Sequence, residues 1–131
     1  MVIHVDCGET ERDAFAPERL LDLSPSAISY RDRDLRCRYA NTACRDWLGV
    51  DPEILVGTRL VDLFAVLRLD HHDMLVDAAL QGERRGVVQS LRGGDWQRQG
   101  LVQYVPDLRR SQVRGLLLQI GAMPPVSRST L

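Results

Sequence analysis

Apolar and polar residues change rhythm several times along the chain, and each change predicts an element. Over residues 14–23, Phe15, Leu20, Leu21 and Leu23 make an apolar stripe behind an early Pro17, the pattern of a helix. Ser24-Pro25-Ser26 ends it, because proline lacks an N–H and disfavours helix at the residue before it. Residues 27–31 read as a strand, Asp32-Arg33-Asp34 as a turn, and residues 35–40 as a second strand. In that strand Leu35, Cys37 and Tyr39 alternate with Arg36 and Arg38. The period switches to helical at Asn41, whose side chain suits an N-cap. Ala43, Trp47 and Leu48 then share a face with Cys44, and Gly49 fits the left-handed position beyond a helix end. A short helical segment opens at Asp51 with Pro52 in its first position and closes at Gly57.

Residues 59–67 carry Leu60, Leu63, Phe64 and Leu67, an amphipathic turn or two. Residues 70–81 predict a long helix with Asp70, Asp73, Asp77 and Gln81 on one face and His72, Leu75, Val76 and Ala79 on the other. Three strands follow, over residues 86–91, 96–105 and 113–120. They are separated by the breaker Arg92-Gly93-Gly94-Asp95 and by a polar turn over residues 106–112. Leu116-Leu117-Leu118 predicts a strand covered on both faces. Residues 1–13 are weakly patterned, a flexible lead-in with at most a short strand over residues 2–5; residues 124–131, with Pro124-Pro125 and serines, read as linker. One domain over residues 14–123 remains. Helix, two strands, helices, three strands predicts an α+β fold: a cupped five-stranded antiparallel sheet with its main helices inserted between strands two and three, plus a leading helix.

Several stretches, in this order, resemble the PAS sensor family of bacterial signalling proteins. The first is a strand ending in Tyr39-Ala40-Asn41, then a helix ending in Trp47-Leu48-Gly49, then Pro52-Glu53-Ile54-Leu55-Val56-Gly57. Ala78-Ala79-Leu80-Gln81-Gly82-Glu83 is similar to the end of the family's long central helix. Tyr104-Val105-Pro106-Asp107 and Val113-Arg114-Gly115 are similar to its last two strands and the turn between them. The resemblance spans residues 17–123. It implies a PAS-like sheet whose hollow, roofed by residues 41–82, can hold a ligand or cofactor. Pocket candidates on that basis are His72, Leu75, Val76, Ala79, Cys37, Tyr39, Cys44 and Trp47. It also implies that the leading helix packs on the outer sheet face or on a partner subunit, which nominates Phe15, Leu20, Leu21, Leu23 and Leu117 for a homodimer interface.

Composition narrows the chemistry. With 44% hydrophobic and 27% charged residues the chain is ordinary for a soluble protein, and no apolar run approaches the ~20 residues of a membrane span. The N-terminus lacks the basic start and apolar stretch of a signal peptide, so the cytoplasm is expected. A net charge of −1 gives no drive toward nucleic acid or membrane. All 17 basic residues are arginine, so lysine Schiff-base and lysine–phosphate chemistry is closed. Arg31, Arg33, Arg36 and Arg38 alternate with Asp32 and Asp34, which predicts a solvated, self-paired face. The odd set Cys7, Cys37 and Cys44 has no Cys-x-x-Cys and predicts free thiols, Cys7 in the lead-in and the other two as small core residues.

His72 is the sharpest candidate. Central on the apolar face of the long helix, it reads as a heme ligand or as a polar anchor for a small molecule; the structural alternative is a partly exposed histidine in a helix first turn. Asp70-His71-His72-Asp73 makes a poor metal cluster, because four consecutive helical residues point four ways. Ala43–Gly49 looks like the cysteine motif of the light-sensing flavin branch of the family, but in the wrong helix. That branch carries its cysteine three residues after the glycine matching Gly57, where this chain has Leu60. Noncovalent flavin stays open. No nucleophile triad, phosphate loop or kinase motif is present, so no catalysis is expected; the rival from another class is a small α+β cone enzyme using His72 with Asp70 or Asp73.

Many PAS domains end their last strand in Asp-Ile-Thr, which leads into a coupling helix. Ala122-Met123-Pro124 stands there instead. The start at Met1 looks native and the end at Leu131 does not. The expectation is therefore an N-terminal sensory segment of a longer two-component or related regulator, with a histidine kinase or cyclic-dinucleotide enzyme as its output. The alternative is a PAS domain that only dimerises and holds no ligand.

Overall fold

The computed structural model describes residues 16–92 and 97–123. The elements run α1 (Pro17–Asp22), β1 (Ala27–Asp32), β2 (Cys37–Ala40), α2 (Ala43–Leu48), α3 (Pro52–Leu55), α4 (Leu60–Leu67), α5 (Asp73–Leu80), β3 (Arg85–Arg92), β4 (Gln97–Arg109) and β5 (Gln112–Gly121). All five strands pair antiparallel in one sheet of order β2-β1-β5-β4-β3. The helices α2 to α5 lie between β2 and β3, as the pattern of breakers predicts. The expected lead-in over residues 1–13, Phe15, the glycines of the β3–β4 turn, Trp96 and the stretch 124–131 fall outside the described residues.

Cross-strand partners share a face of a sheet. Ala27, Ser29 and Arg31 of β1 stand opposite Ile120, Leu118 and Leu116 of β5, and the last two of these columns continue to Tyr104 and Pro106 on β4. This is the concave face. Over it lie Cys44, Trp47 and Leu48 of α2, Leu60, Leu63 and Leu67 of α4, and Val76 and Ala79 of α5, all in one buried cluster with Val102, Leu116, Leu118 and Ile120. Each such large side chain withdrawn from water contributes about 1.5–3 kcal/mol. Gly115 lets β5 lie close on β1: a Cβ there would collide with the Arg31 carbonyl and the Tyr30 hydroxyl.

Five local expectations change. Asn41 does not cap α2: Thr42 holds that position, and the Asn41 side chain turns away to bond β1 and α1. The second strand begins at Cys37, because Leu35 adopts φ 65 and leaves the sheet. The long helix is shorter than predicted. His71 at φ 65 interrupts it, and His72 stands at the N-cap of α5 instead of mid-face. The polar turn over residues 106–112 shrinks to Arg110 and Ser111, both left-handed (φ 53 and 65), because β4 continues to Arg109. Pro106 is tolerated there since β3 pairs only as far as Tyr104, so the missing N–H faces no partner strand. In the leucine run, Leu116 and Leu118 are buried inward, whereas Leu117 is only half-buried on the outer face.

Candidate ligand-binding cup

Three polar constellations are buried around the concave face. At the start of β1, Asn41 is fully buried and every bond it can make there is made. Its Oδ1 accepts from the Ile28 N–H at 2.8 Å, and its Nδ2 donates to the carbonyls of Leu21 and Ser26 at 2.8 and 2.9 Å. At the far side, His72 is 3% exposed. Its Nε2 meets the side-chain Oε1 of Gln89, an acceptor in this orientation of the amide, which puts the proton on Nε2. Nδ1 is then the acceptor for the Tyr104 hydroxyl at 2.6 Å. Phe64 packs beside the imidazole with ring centroids 5.5 Å apart. Burial raises the Tyr104 pKa far above the ordinary tyrosine value, although the charge of Arg31 pulls the other way, so the phenol keeps the proton it donates.

The third constellation is incomplete. Arg31, near the end of β1, is 0% exposed. Its Nη1 donates to the carbonyls of Leu35 (3.2 Å) and Thr58 (3.0 Å), while Nε and Nη2 are buried without a partner. Burial lowers its pKa from the ordinary arginine value. Among the described residues no carboxylate bonds to it: the adjacent Asp32 favours its charge only at a distance, and accepts from Arg38 at 2.6 Å and from the backbone N–H groups of Asp34 and Arg36. Removing such an ion from water costs several kcal/mol. A cleft of about 310 Å³ opens between α4 and α5; Arg31 does not line it, but Leu35, whose carbonyl accepts from Arg31, does, forming its apolar wall with Leu60, Phe64 and Val76, and exposed Asp73 and Asp77 stand at its rim.

A model of the PAS fold family matches residues 21–120, most of the chain. The chain belongs to the PAS fold family. Solved PAS domains share its architecture. That of nitrogen regulation protein NR(II) from Vibrio parahaemolyticus is 20% identical, with 82% of this chain and 97% of that one covered and a TM-score of 0.62. The PAS domain of BvgS from Bordetella pertussis is 17% identical, with 94% and 90% covered and a TM-score of 0.58. A PAS domain from a two-component sensor histidine kinase is 14% identical, with 86% and 97% covered and a TM-score of 0.62. No curated protein matches the sequence.

Within this PAS domain the predicted pocket residues divide. Val76 and Ala79 are buried on the sheet-facing side of α5, with Leu75 packed at the margin of the core. Cys37 and Cys44 are buried free thiols. Burial pushes the Cys44 pKa up to about 11, and that of Cys37 also rises, so both stay protonated at neutral pH. Cys37 donates to the Tyr39 carbonyl and Cys44 to the Ile28 carbonyl. Trp47 closes the cup at another corner, donating Nε1 to the Pro25 carbonyl at 2.9 Å under a guanidinium from Arg98, 3.8 Å from its ring. Tyr39 is on the opposite side. Its hydroxyl reaches Glu18 and Asp22 of α1, and burial followed by Asp22 lifts its pKa to about 12.

Heme ligation by His72 and covalent flavin chemistry both fit poorly here. Both His72 ring nitrogens are engaged, leaving none to ligate heme iron. Where the flavin branch carries its cysteine, Leu60 is buried in the core. Asp70, His72 and Asp73 line one further cleft of about 510 Å³, yet the imidazole turns inward from both acids, which leaves the cone-enzyme alternative without an oriented base. Among the described residues no three His, Cys, Asp or Glu side chains converge as a metal site.

Arg31 corrects the expectation of a solvated basic face. Arg33, Arg36 and Arg38 are exposed as predicted; Arg31 is not. Alternation alone groups Arg31 with Ala27 and Ser29, but Ile28 and Tyr30 look the better core pair. In the fold they take the other face, where Tyr30 donates to Asp107 at 2.6 Å.

Proposed function

We propose that this PAS domain is a sensory module of a signalling protein, which binds a small molecule in its cup and passes the change to an output domain. The supporting observation is the cleft between α4 and α5, whose wall is made of residues that also pack into the core, Leu60 and Val76. A ligand there would press on the same layer that supports β4 and β5, and so shift the balance between two packings of the sheet. The likeness to a PAS domain of a two-component sensor histidine kinase supports a kinase output, with a cyclic-dinucleotide enzyme as the other candidate. The reading places the module in the cytoplasm and gives it no catalysis of its own; among the described residues no helix is long and apolar enough to cross a membrane.

Native mass spectrometry of the purified chain tests this. A copurified small molecule that survives gentle desolvation is the expected result. A bare chain in every preparation, unresponsive to small-molecule libraries in thermal shift, would sink it.

A specific observation favours a second role beside the first. On α1, Leu20 is 53% and Leu23 79% exposed, and Leu117 is half-buried on the outer sheet face. These residues, with Leu21, would form a homodimer interface that carries the signal between copies. Sedimentation of Leu23→Glu should then report a monomer where the native chain reports a dimer.

A further inference from the structure

We propose that the cup takes a small monocarboxylate with an apolar body, its carboxylate docked side-on against Nε and Nη2 of Arg31. The inference rests on the sensory reading above and gives its ligand a chemical class.

The guanidinium itself selects the class. Nη1 is held by the Leu35 and Thr58 carbonyls, which fix the plane and orientation of the group. The unpartnered atoms are Nε and Nη2, and they are adjacent. Their N–H bonds run parallel along one edge of the guanidinium, the edge that matches both oxygens of a carboxylate. A lone water could meet one of these donors; a carboxylate meets both and supplies the missing charge. The carboxylate that acts on Arg31 from within the chain, Asp32, makes no bond to it and is engaged by Arg38; the other groups that feel its charge, the Cys37 and Cys44 thiols and the Tyr104 phenol, are protonated.

The cleft gives the rest of the ligand its character. Leu35 is the shared element: its carbonyl accepts from Arg31, and its side chain lines the cleft. Its half-buried side chain is the one a ligand would displace on the way to Arg31, while its carbonyl stays on Nη1. Leu60, Phe64 and Val76 then face an apolar tail. Asp73 and Asp77 at the rim repel a second acid group, which excludes dicarboxylates.

The test compares three probes of similar shape against the whole chain by calorimetry: hexanoate, hexanamide and adipate. Hexanoate should bind at least about tenfold more tightly than either of the others. Arg31→Met should bind hexanoate and hexanamide alike, and Arg31→Lys, which keeps the charge and loses the fork, should fall between. The Nε–H resonance of Arg31 in the native protein needs no variant: hexanoate should move it and hexanamide should not. Equal binding of hexanoate and hexanamide, or an Nε–H resonance indifferent to hexanoate, overturns the inference. If native mass spectrometry meanwhile finds an uncharged molecule in the cup, the sensory reading stands and only the acid specificity falls.

Discussion

The Asn41 corner and the Arg31 site sit at opposite ends of the β1–β2 hairpin, and both bury a strongly polar side chain. At the first, donors and acceptors are matched one for one: Asn41 ties β1 to the end of α1, and Cys44 donates its thiol beside it. At the second, a full charge is held by one end and left open along the other. Unmatched buried polar groups are costly, whereas matched ones hold a framework together. The difference separates scaffold from site. That contrast is what motivates the proposal that a ligand from outside the chain meets the open edge of Arg31.

The largest effect should come from breaking the matched corner. Asn41→Ala strands the Ile28 N–H and two carbonyls, and should lower stability by about 3–5 kcal/mol in urea titration. A loss under about 1 kcal/mol would mean that water replaces the side chain and that the corner is not a framework element. Next in size, and opposite in sign, is Arg31→Met. Replacing an uncompensated buried ion by an apolar side chain of similar length should stabilise the ligand-free protein by about 1–3 kcal/mol. If it destabilises by as much as Asn41→Ala, the two carbonyl bonds at Nη1 outweigh the unpaired edge and the contrast between the sites disappears.

The smallest effect sharpens the comparison through pH. Burial raises the Cys44 thiol from 9.0 to about 11, so the native state keeps a proton that the unfolded chain gives up. Stability should be level below pH 9 and decline as pH rises from 9 toward 11, by up to about 2 kcal/mol. Cys37 titrates in the same direction, and Tyr30 and Tyr39, each raised to about 12, add to the decline only above pH 10. Denaturation series at pH 8 and 9.5, with Cys44→Ala as reference, isolate the thiol. A pH-independent midpoint over that interval would show that the corner admits water.

Most of the architecture was legible because its signals are local. Ser24-Pro25-Ser26, Gly49 and Gly82 end elements through their own backbone preferences, and the order of strands and helices follows from them. The site was less legible because its decisive facts are contacts across the chain. Asn41 reads as a cap to any local rule, since nothing near it in sequence announces that Ile28, Leu21 and Ser26 will converge on it. A period of two yields two faces for β1 without saying which turns inward, and the apolar pair Ile28 and Tyr30 points to the wrong one. His72 stood out in the sequence, but its partners Gln89 and Tyr104 lie on two later strands. Pro106 imitates a turn until the length of β3 is known.

The first and last strands of the sheet are neighbours, with Ala27 facing Ile120. Backbone enters and leaves the sheet at points roughly 5 Å apart. Such a unit can be spliced into a host polypeptide like a bead on a wire, holding what lies upstream and downstream side by side. Any change of twist between these two central strands would then turn both flanks together, like two hands on one key.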